Sequence, residues 1–258
     1  MKIILLGATG FIGKSLSSYL ENDHQVVKVK RSTSLEYLFK ADQTFDFVIN
    51  CVSSKSSSSS SESNISNFEY PKKFLEKVQT KHWIQLESYF QLQIPMGRRD
   101  SYTLDKQRFS QHLDTTVNTE SSPMIHHLFL PHVFGEGDRP ERLISSAILA
   151  MKRGQKFETS TGTQFLPILH KLDAVKGIAS FLDHPTSVAA CHPFWHGQVR
   201  ELVTEIAFVF KAPQIAFGQK SDPIDVNFPQ VQFPDNVINW QPKMQVSEFL
   251  DWVRIQNE

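Results

Sequence analysis

Cysteine is almost absent. Cys51 and Cys191 are the only two, too few for a disulfide scaffold or a thiolate metal cage, and a reducing cytoplasm is the expected compartment. Neither sign of charge prevails. The 27 Lys and Arg balance 27 Asp and Glu, which removes the electrostatic footprint expected of a nucleic-acid binder or of a protein held on an anionic membrane. No apolar run approaches the ~20 residues of a membrane span. The run Ile3 to Leu6 is also too short for a signal-peptide core, so neither anchor nor leader is expected. His126 and His127 have no Cys or acidic cluster beside them; they read as strand residues, and no metal site is expected.

What remains is an ordinary soluble composition. A chain of 258 residues can bury a sizeable core and suits one α/β domain with a small second lobe. The 20 phenylalanines supply core filling and flat surfaces against which a ring can stack. The serine run from Ser56 to Ser61 is of low complexity and reads as a loop, with a lid over the substrate as the alternative.

The first thirteen residues, MKIILLGATGFIG, organise the rest. Ile3 to Leu6 is too short for anything but a buried strand, and it stops at Gly7. Gly7, Gly10 and Gly13 then lead into a helical stretch from Lys14 to Leu20. A strand feeding a glycine turn that opens a helix is the arrangement that binds a dinucleotide pyrophosphate: the first glycine allows the turn, the second lets phosphate approach the backbone, and the third lets helix and strand pack closely. The helix N–H groups and the positive end of its dipole then face the anion. A second strand, Gln25 to Val29, ends at Lys30-Arg31-Ser32. No carboxylate stands there to bind a ribose 2′-hydroxyl, whereas Arg suits a 2′-phosphate, so NADP is expected, with NAD as the alternative.

Further along, Ser34 to Phe39 suits a short helix, Phe45 to Val52 a buried strand, and Asn64 to Thr80 a helix interrupted by Pro71. His82 to Leu86 reads as a strand with Ser88 just past its end, where open α/β sheets bind ligands. Tyr102 and Lys106 are spaced to share one helix face. An isolated phenol ionises near pH ~10, and a neighbouring ammonium favours its phenolate. Ile125 to Phe134 reads as a further buried strand, and Pro140 to Gly154 as an amphipathic helix.

GATGFIG, followed by a strand ending in Ser and by Tyr102-x-x-x-Lys106, resembles the extended short-chain dehydrogenases/reductases, the NAD-dependent epimerase/dehydratase family. The resemblance implies a Rossmann-like, doubly wound parallel sheet over residues 1–135. Residues 136–258 would form a mixed C-terminal part that supplies a substrate-binding lobe. It implies Ser88, Tyr102 and Lys106 as catalytic residues. It implies cofactor contacts from Gly7, Thr9, Gly10, Phe11 and Ile12 at the turn, Arg31 and Ser32 at the second strand, and Cys51 and Val52 at the third. Lys106, Pro131 and Val133 would serve the nicotinamide side.

The implied substrate is a nucleotide-linked sugar, and a homodimer is left open. The family's 4,6-dehydratases carry Asp-Glu after their catalytic Thr; Tyr89-Phe90 follow Ser88 here, which argues against dehydration. Ser88 also stands nearer to Tyr102 than in many relatives, as in short-loop sugar 4-ketoreductases of the O-antigen type. His132 and Phe134 replace the usual Asn and Tyr, and Leu166 and Pro167 the usual Arg and Asp, while Asp173 and the closing Trp240-Gln241-Pro242 are kept. The expected activity is NADPH-dependent reduction of a 4-keto sugar. The alternatives are a 4-epimerase and a catalytically silent NADP(H) sensor.

Overall fold

The computed structural model describes residues 1–30, 43–54, 60–116, 122–211, 214–234 and 240–256. The expected helix at Ser34 to Phe39, the serines Ser56 to Ser59, and both Arg31 and Ser32 lie outside the described residues. The chain divides into two compact units. One comprises residues 1–130, 175–191 and 233–240, the other residues 131–174, 192–232 and 241–258.

The first unit begins with β1 (Lys2–Leu6), α1 (Phe11–Leu20) and β2 (Gln25–Val29), followed by β3 (Phe45–Asn50). Next come α2 (Ser60–Asn64), a π-helical turn (Ile65–Glu69) and α3 (Tyr70–Leu75). The single long helix read from the sequence is therefore divided. Pro71 falls in the first turn of α3, where its missing N–H costs no helical bond. A 3-10 helix (Tyr89–Met96) joins β4 (Thr80–Ser88) to α4 (Ser101–Thr116), and β5 (Met124–Leu130) completes the run.

The second unit opens with β6 (His132–Phe134), α5 (Leu143–Lys152), β7 (Phe157–Glu158) and β8 (Phe165–His170). The division between the units then falls inside α6 (Lys171–Phe181). β9 (Val188–Ala190) belongs to the first unit; β10 (Trp195–Gln198), α7 (Val199–Val209), β11 (Ile215–Ala216) and α8 (Val246–Ile255) belong to the second.

In the first unit, six parallel strands lie in the order β2-β1-β3-β4-β5-β9. This is the doubly wound Rossmann-like sheet, and its order reverses between β1 and β3, where such folds open a crevice at the strands' carboxyl ends. Ile3, Ile4, Leu5 and Leu6 are all buried, as a strand covered on both faces requires. One face packs Ile4, Leu6, Val48 and Trp83 against Phe68, Phe74, Phe109 and Leu113 from the π-turn, α3 and α4. Each such side chain contributes roughly 1.5–3 kcal/mol by leaving water. Phenylalanine is the filler the composition suggested.

The strand read as continuous from Ile125 to Phe134 is broken at Pro131. Proline has no N–H for a ladder, and past it β6 pairs in a different sheet, ordered β10-β8-β6, in the second unit. There Phe134, Phe194, Phe249, Trp252 and His170 pack edge to face, tilted or, for Phe249 and Trp252, stacked, with ring centroids 5.3–6.4 Å apart. Among the described residues no helix is long and apolar enough to cross a membrane, and no group of 3 or more His, Cys, Asp or Glu could hold a metal ion.

Candidate active site

The glycine turn is built by exclusion of side chains. Gly7 sits at φ +76°, and a Cβ on it would lie 3.0 Å from the Val52 nitrogen at the end of β3. A Cβ on Gly13 would lie 2.2 Å from the Gly7 carbonyl oxygen, so only glycine lets α1 approach β1 this closely. Gly10 is the N-cap of α1 and provides no side-chain hydrogen bond to it. No acidic residue stands in the first turn either, so the leading N–H groups have no anionic side chain of their own helix to satisfy them.

A pocket of about 400 Å³ opens here, lined by Gly7, Thr9, Gly10, Lys30, Cys51, Val52, Ser53 and Tyr70. Five of the residues read from the sequence as cofactor contacts meet in it: Gly7, Thr9, Gly10, Cys51 and Val52. Phe11 and Ile12 open α1 and are half-buried. Pro131 and Val133 are buried in the second unit. The Cβ-free cradle and the uncapped helix end suit a dinucleotide pyrophosphate. Burial pushes the Cys51 thiol up to about 12, only partly offset by the charge of Lys106.

Three pocket residues went unassigned as contacts: Lys30, Ser53 and Tyr70. Ser53 has the most consequence, because its hydroxyl donates to the Tyr102 phenol oxygen at 3.4 Å. Its signal in the sequence was its position one residue beyond Val52 at a strand end. Tyr70 follows the π-helical turn, a feature common at functional positions. Within that turn the buried Asn67 accepts from the Ser54 N–H at 3.0 Å and donates to the Ser54 carbonyl at 2.9 Å, fixing the chain just after Ser53.

Tyr102 and Lys106 share a face of α4. Lys106 is buried, with its ammonium donating to the Leu86 carbonyl of β4 at 2.7 Å. Ser88 ends β4 and caps the 3-10 helix: its hydroxyl accepts from the Phe90 N–H at 3.3 Å, and its own N–H donates to Gln91 at 2.8 Å. Accepting there leaves the hydroxyl proton free to donate.

The loop that presents Tyr102 is braced by Arg98, whose guanidinium lies 3.7 Å from the Phe90 ring centre and donates to Gln93 at 2.6 Å and to Asp100 at 2.5 Å. Asp100 accepts from the Thr103 N–H at 3.0 Å and so caps α4. Burial alone would raise the Asp100 carboxyl, but the Arg98 charge and the Thr103 bonds outweigh it and hold it below the ordinary value. The Phe90 ring meets Tyr102 edge on at 6.3 Å, completing the brace.

The family model described as NAD dependent epimerase/dehydratase matches residues 3–194. The chain belongs to this family. The match runs from β1 through the glycine turn and α4 to the residue before β10, and so spans Ser88, Tyr102 and Lys106. A curated relative, the UDP-2-acetamido-2,6-beta-L-arabino-hexul-4-ose reductase of Pseudomonas aeruginosa, is 26% identical over 143 residues. That match covers 54% of this chain and only 38% of the relative, so the chain spans well under half the length of that protein.

Among solved structures, RMD from Pseudomonas aeruginosa, complexed with NADPH, superposes with a TM-score of 0.79 at 16% identity, covering 100% of this chain and 99% of the other. The UDP-glucuronic acid 4-epimerase from Bacillus cereus, complexed with UDP-glucuronic acid and NAD, gives 0.81 at 16% identity over 100% and 99%. At these identities the likeness is one of fold.

Proposed function

We propose that this protein reduces the 4-keto group of a nucleotide-linked sugar with NADPH, using Ser88, Tyr102 and Lys106. The observation that carries the reading is the 3.4 Å hydrogen bond from Ser53 to the Tyr102 phenol, because Ser53 also lines the pocket beneath the glycine turn. A proton donor and a dinucleotide-shaped cradle thus share a residue. The name of the curated relative, a hexul-4-ose reductase, supports the 4-keto substrate. The NADPH in the RMD structure supports the cofactor.

In this reading the N–H groups opening α1 hold the pyrophosphate, Lys30 faces the 2′-phosphate, and Lys106 holds the nicotinamide ribose. The nicotinamide, when bound, supplies hydride. Tyr102 gives its proton to the developing alkoxide, while the Ser88 hydroxyl donates a hydrogen bond to the same oxygen. The Lys106 charge steadies the negative charge left on the phenol oxygen. Positioned proton transfer of this kind is worth ~10²–10⁴-fold in rate.

The test follows nicotinamide absorbance with keto sugars generated in place from several nucleotide-glucose precursors. Consumption of NADPH with at least one of them supports the reading; no consumption with any, or a Tyr102→Phe variant as fast as the parent, removes it. Interconversion of nucleotide sugars without net NADPH use points instead to a 4-epimerase, which needs the same Tyr and Lys. Cofactor binding without turnover of any sugar is the result expected of a sensor.

A further inference from the structure

Beneath the catalytic helix lies a chain of buried charge that the proposed reaction does not use. Glu87, next to Ser88, has a side chain 0% exposed. Its Oε1 accepts from His127 Nδ1 on β5 at 2.8 Å and from the Ser110 hydroxyl on α4. His127 Nε2 faces Asp114 Oδ1 at 3.1 Å, and the Asp114 side chain is 66% exposed. Ser110, one helical turn beyond Lys106, accepts from Gln91 at 3.2 Å, and Gln91 in turn accepts from the Ser88 N–H. A continuous run of hydrogen bonds therefore leads from Ser88 through Gln91, Ser110, Glu87 and His127 to the surface at Asp114.

The charge state follows from the bonding. Both ring nitrogens of His127 face carboxylate oxygens, an arrangement that only the doubly protonated ring satisfies with two donors. Burial alone would lower His127, but the hydrogen bond and charge of Glu87, joined by Asp114, hold it above the ordinary value. Burial alone would raise Glu87, but His127 and Lys106 hold it below the ordinary carboxylate range. The adjacent His126 has the opposite fate. Its Nδ1 donates to the Thr186 carbonyl at 2.9 Å, so its Nε2 must accept from His82 at 3.0 Å, and burial keeps it neutral. The titratable groups bearing on His127 are thus Glu87 from β4, Asp114 from α4 and His126 on its own strand, while Lys106 acts on Glu87. From β9 the register neighbour is the apolar Val188.

We infer that Glu87 and His127 are positioning residues for the reaction. Their buried ion pair ties β4 to β5, and with Ser110 bonded to Glu87 and Asp114 to His127 it holds the end of β4, with Ser88, against the face of α4 that carries Lys106. The inference rests on the proposed reductase reading for its effect on turnover. A buried ion pair is costly to desolvate and is weak grounds for stability by itself; the placement of this one, next to Ser88 and bonded to α4 through Ser110 and Asp114, is what gives it a role. Small misplacements of catalytic groups lower rates strongly, and loss of the His127 proton removes half of the clamp.

The test uses the full chain with three readouts: the titration of His127 by NMR, kcat and KM across pH, and NADPH affinity. In the parent, His127 titrates above the ordinary histidine value, and kcat falls on the alkaline side with the same midpoint. Glu87→Gln keeps an acceptor for Ser110 but removes the counter-charge. It should lower the His127 midpoint and cut kcat about tenfold while KM for the sugar changes less than about twofold. His127→Gln should lose that alkaline limb.

A parent His127 with an ordinary midpoint overturns the inference, as does an alkaline limb that persists in His127→Gln. So does a Glu87→Gln variant equal to the parent in both turnover and NADPH affinity. Should Glu87→Gln not fold, the coincidence of the two parent curves decides. Should the reductase reading itself fail, with no sugar turned over, the NADPH affinity of Glu87→Gln decides alone: about threefold or greater weakening supports positioning through Lys106, and equality overturns it.

Discussion

The two halves of the site are built by opposite means. At the β1–α1 turn, function comes from what is missing: no Cβ on Gly7, Gly10 or Gly13, no side-chain cap and no acid in the first turn of α1. At the β4–α4 edge it comes from what has been put in at a cost, a set of charged side chains at Glu87, Arg98, Lys106 and His127, all buried. The first half is held by sterics and is indifferent to pH. The second is held by charge balance and depends on the proton occupancy of its members. In the proposed reaction the first half cradles an anion and the second moves a proton, two tasks suited to these two constructions.

The sharpest way to separate the halves is to break one in each. Tyr102→Phe should lower turnover by ~10²–10⁴-fold and leave NADPH affinity nearly intact, whereas Gly10→Val should abolish NADPH binding in a protein that still folds. Calorimetry with NADPH alongside a kinetic assay reads both, and an affinity loss in Tyr102→Phe would merge the two halves. Next in size is the cofactor choice. Lys30→Ala, and Arg31→Ala with it, should erase most of an NADPH preference of about ten- to a hundredfold, the worth of a charge-assisted contact of roughly 1–3 kcal/mol; equal affinities for NADPH and NADH in the parent would show that no 2′-phosphate is read.

Smaller still is the stability effect of Gly13→Ala. The new Cβ, 2.2 Å from the Gly7 carbonyl, should cost roughly 1–3 kcal/mol of stability, read as a lowered Tm of the same size at pH 5 and pH 8. The charged half should behave otherwise. His127 lies above its ordinary 6.5 when folded, so its contribution to stability is complete below 6.5 and is lost as pH rises through the folded value. Glu87 lies below its ordinary 4.5, so its contribution is complete above 4.5 and is lost as pH falls through the folded value. The plateau between them should shrink in Glu87→Gln when melting is followed across pH. The smallest effect is expected at Ser53→Ala, which removes one long hydrogen bond and should lower turnover about two- to tenfold.

The same contrast explains what was legible in the sequence. The glycine spacing and the strand before it are local, so the turn, β1 and α1 were readable from consecutive residues. Tyr102 and Lys106 were readable because helix periodicity alone puts them on one face. The partners of these residues were not. Ser53 meets Tyr102 across 49 positions and His127 meets Glu87 across 40, and each pairing exists only because parallel strands set distant segments side by side. His126 and His127 were correctly placed on a strand, but nothing in the adjacent pair revealed that one is held charged and the other neutral. The break at Pro131 was available from the missing N–H and was overridden by the apolar run around it.

One property of the pocket bears on how the protein can be handled. Burial pushes the Cys51 thiol up to about 12, so it keeps its proton at neutral pH. The thiolate is the form that attacks alkylating reagents and disulfides, so Cys51 is a slow nucleophile despite lining an open pocket. Cys191 is fully buried and pushed up further. Maleimide dyes or spin labels therefore find no fast native site here. A cysteine introduced on an exposed face, such as at Ser18, can be labelled selectively without first removing either native one.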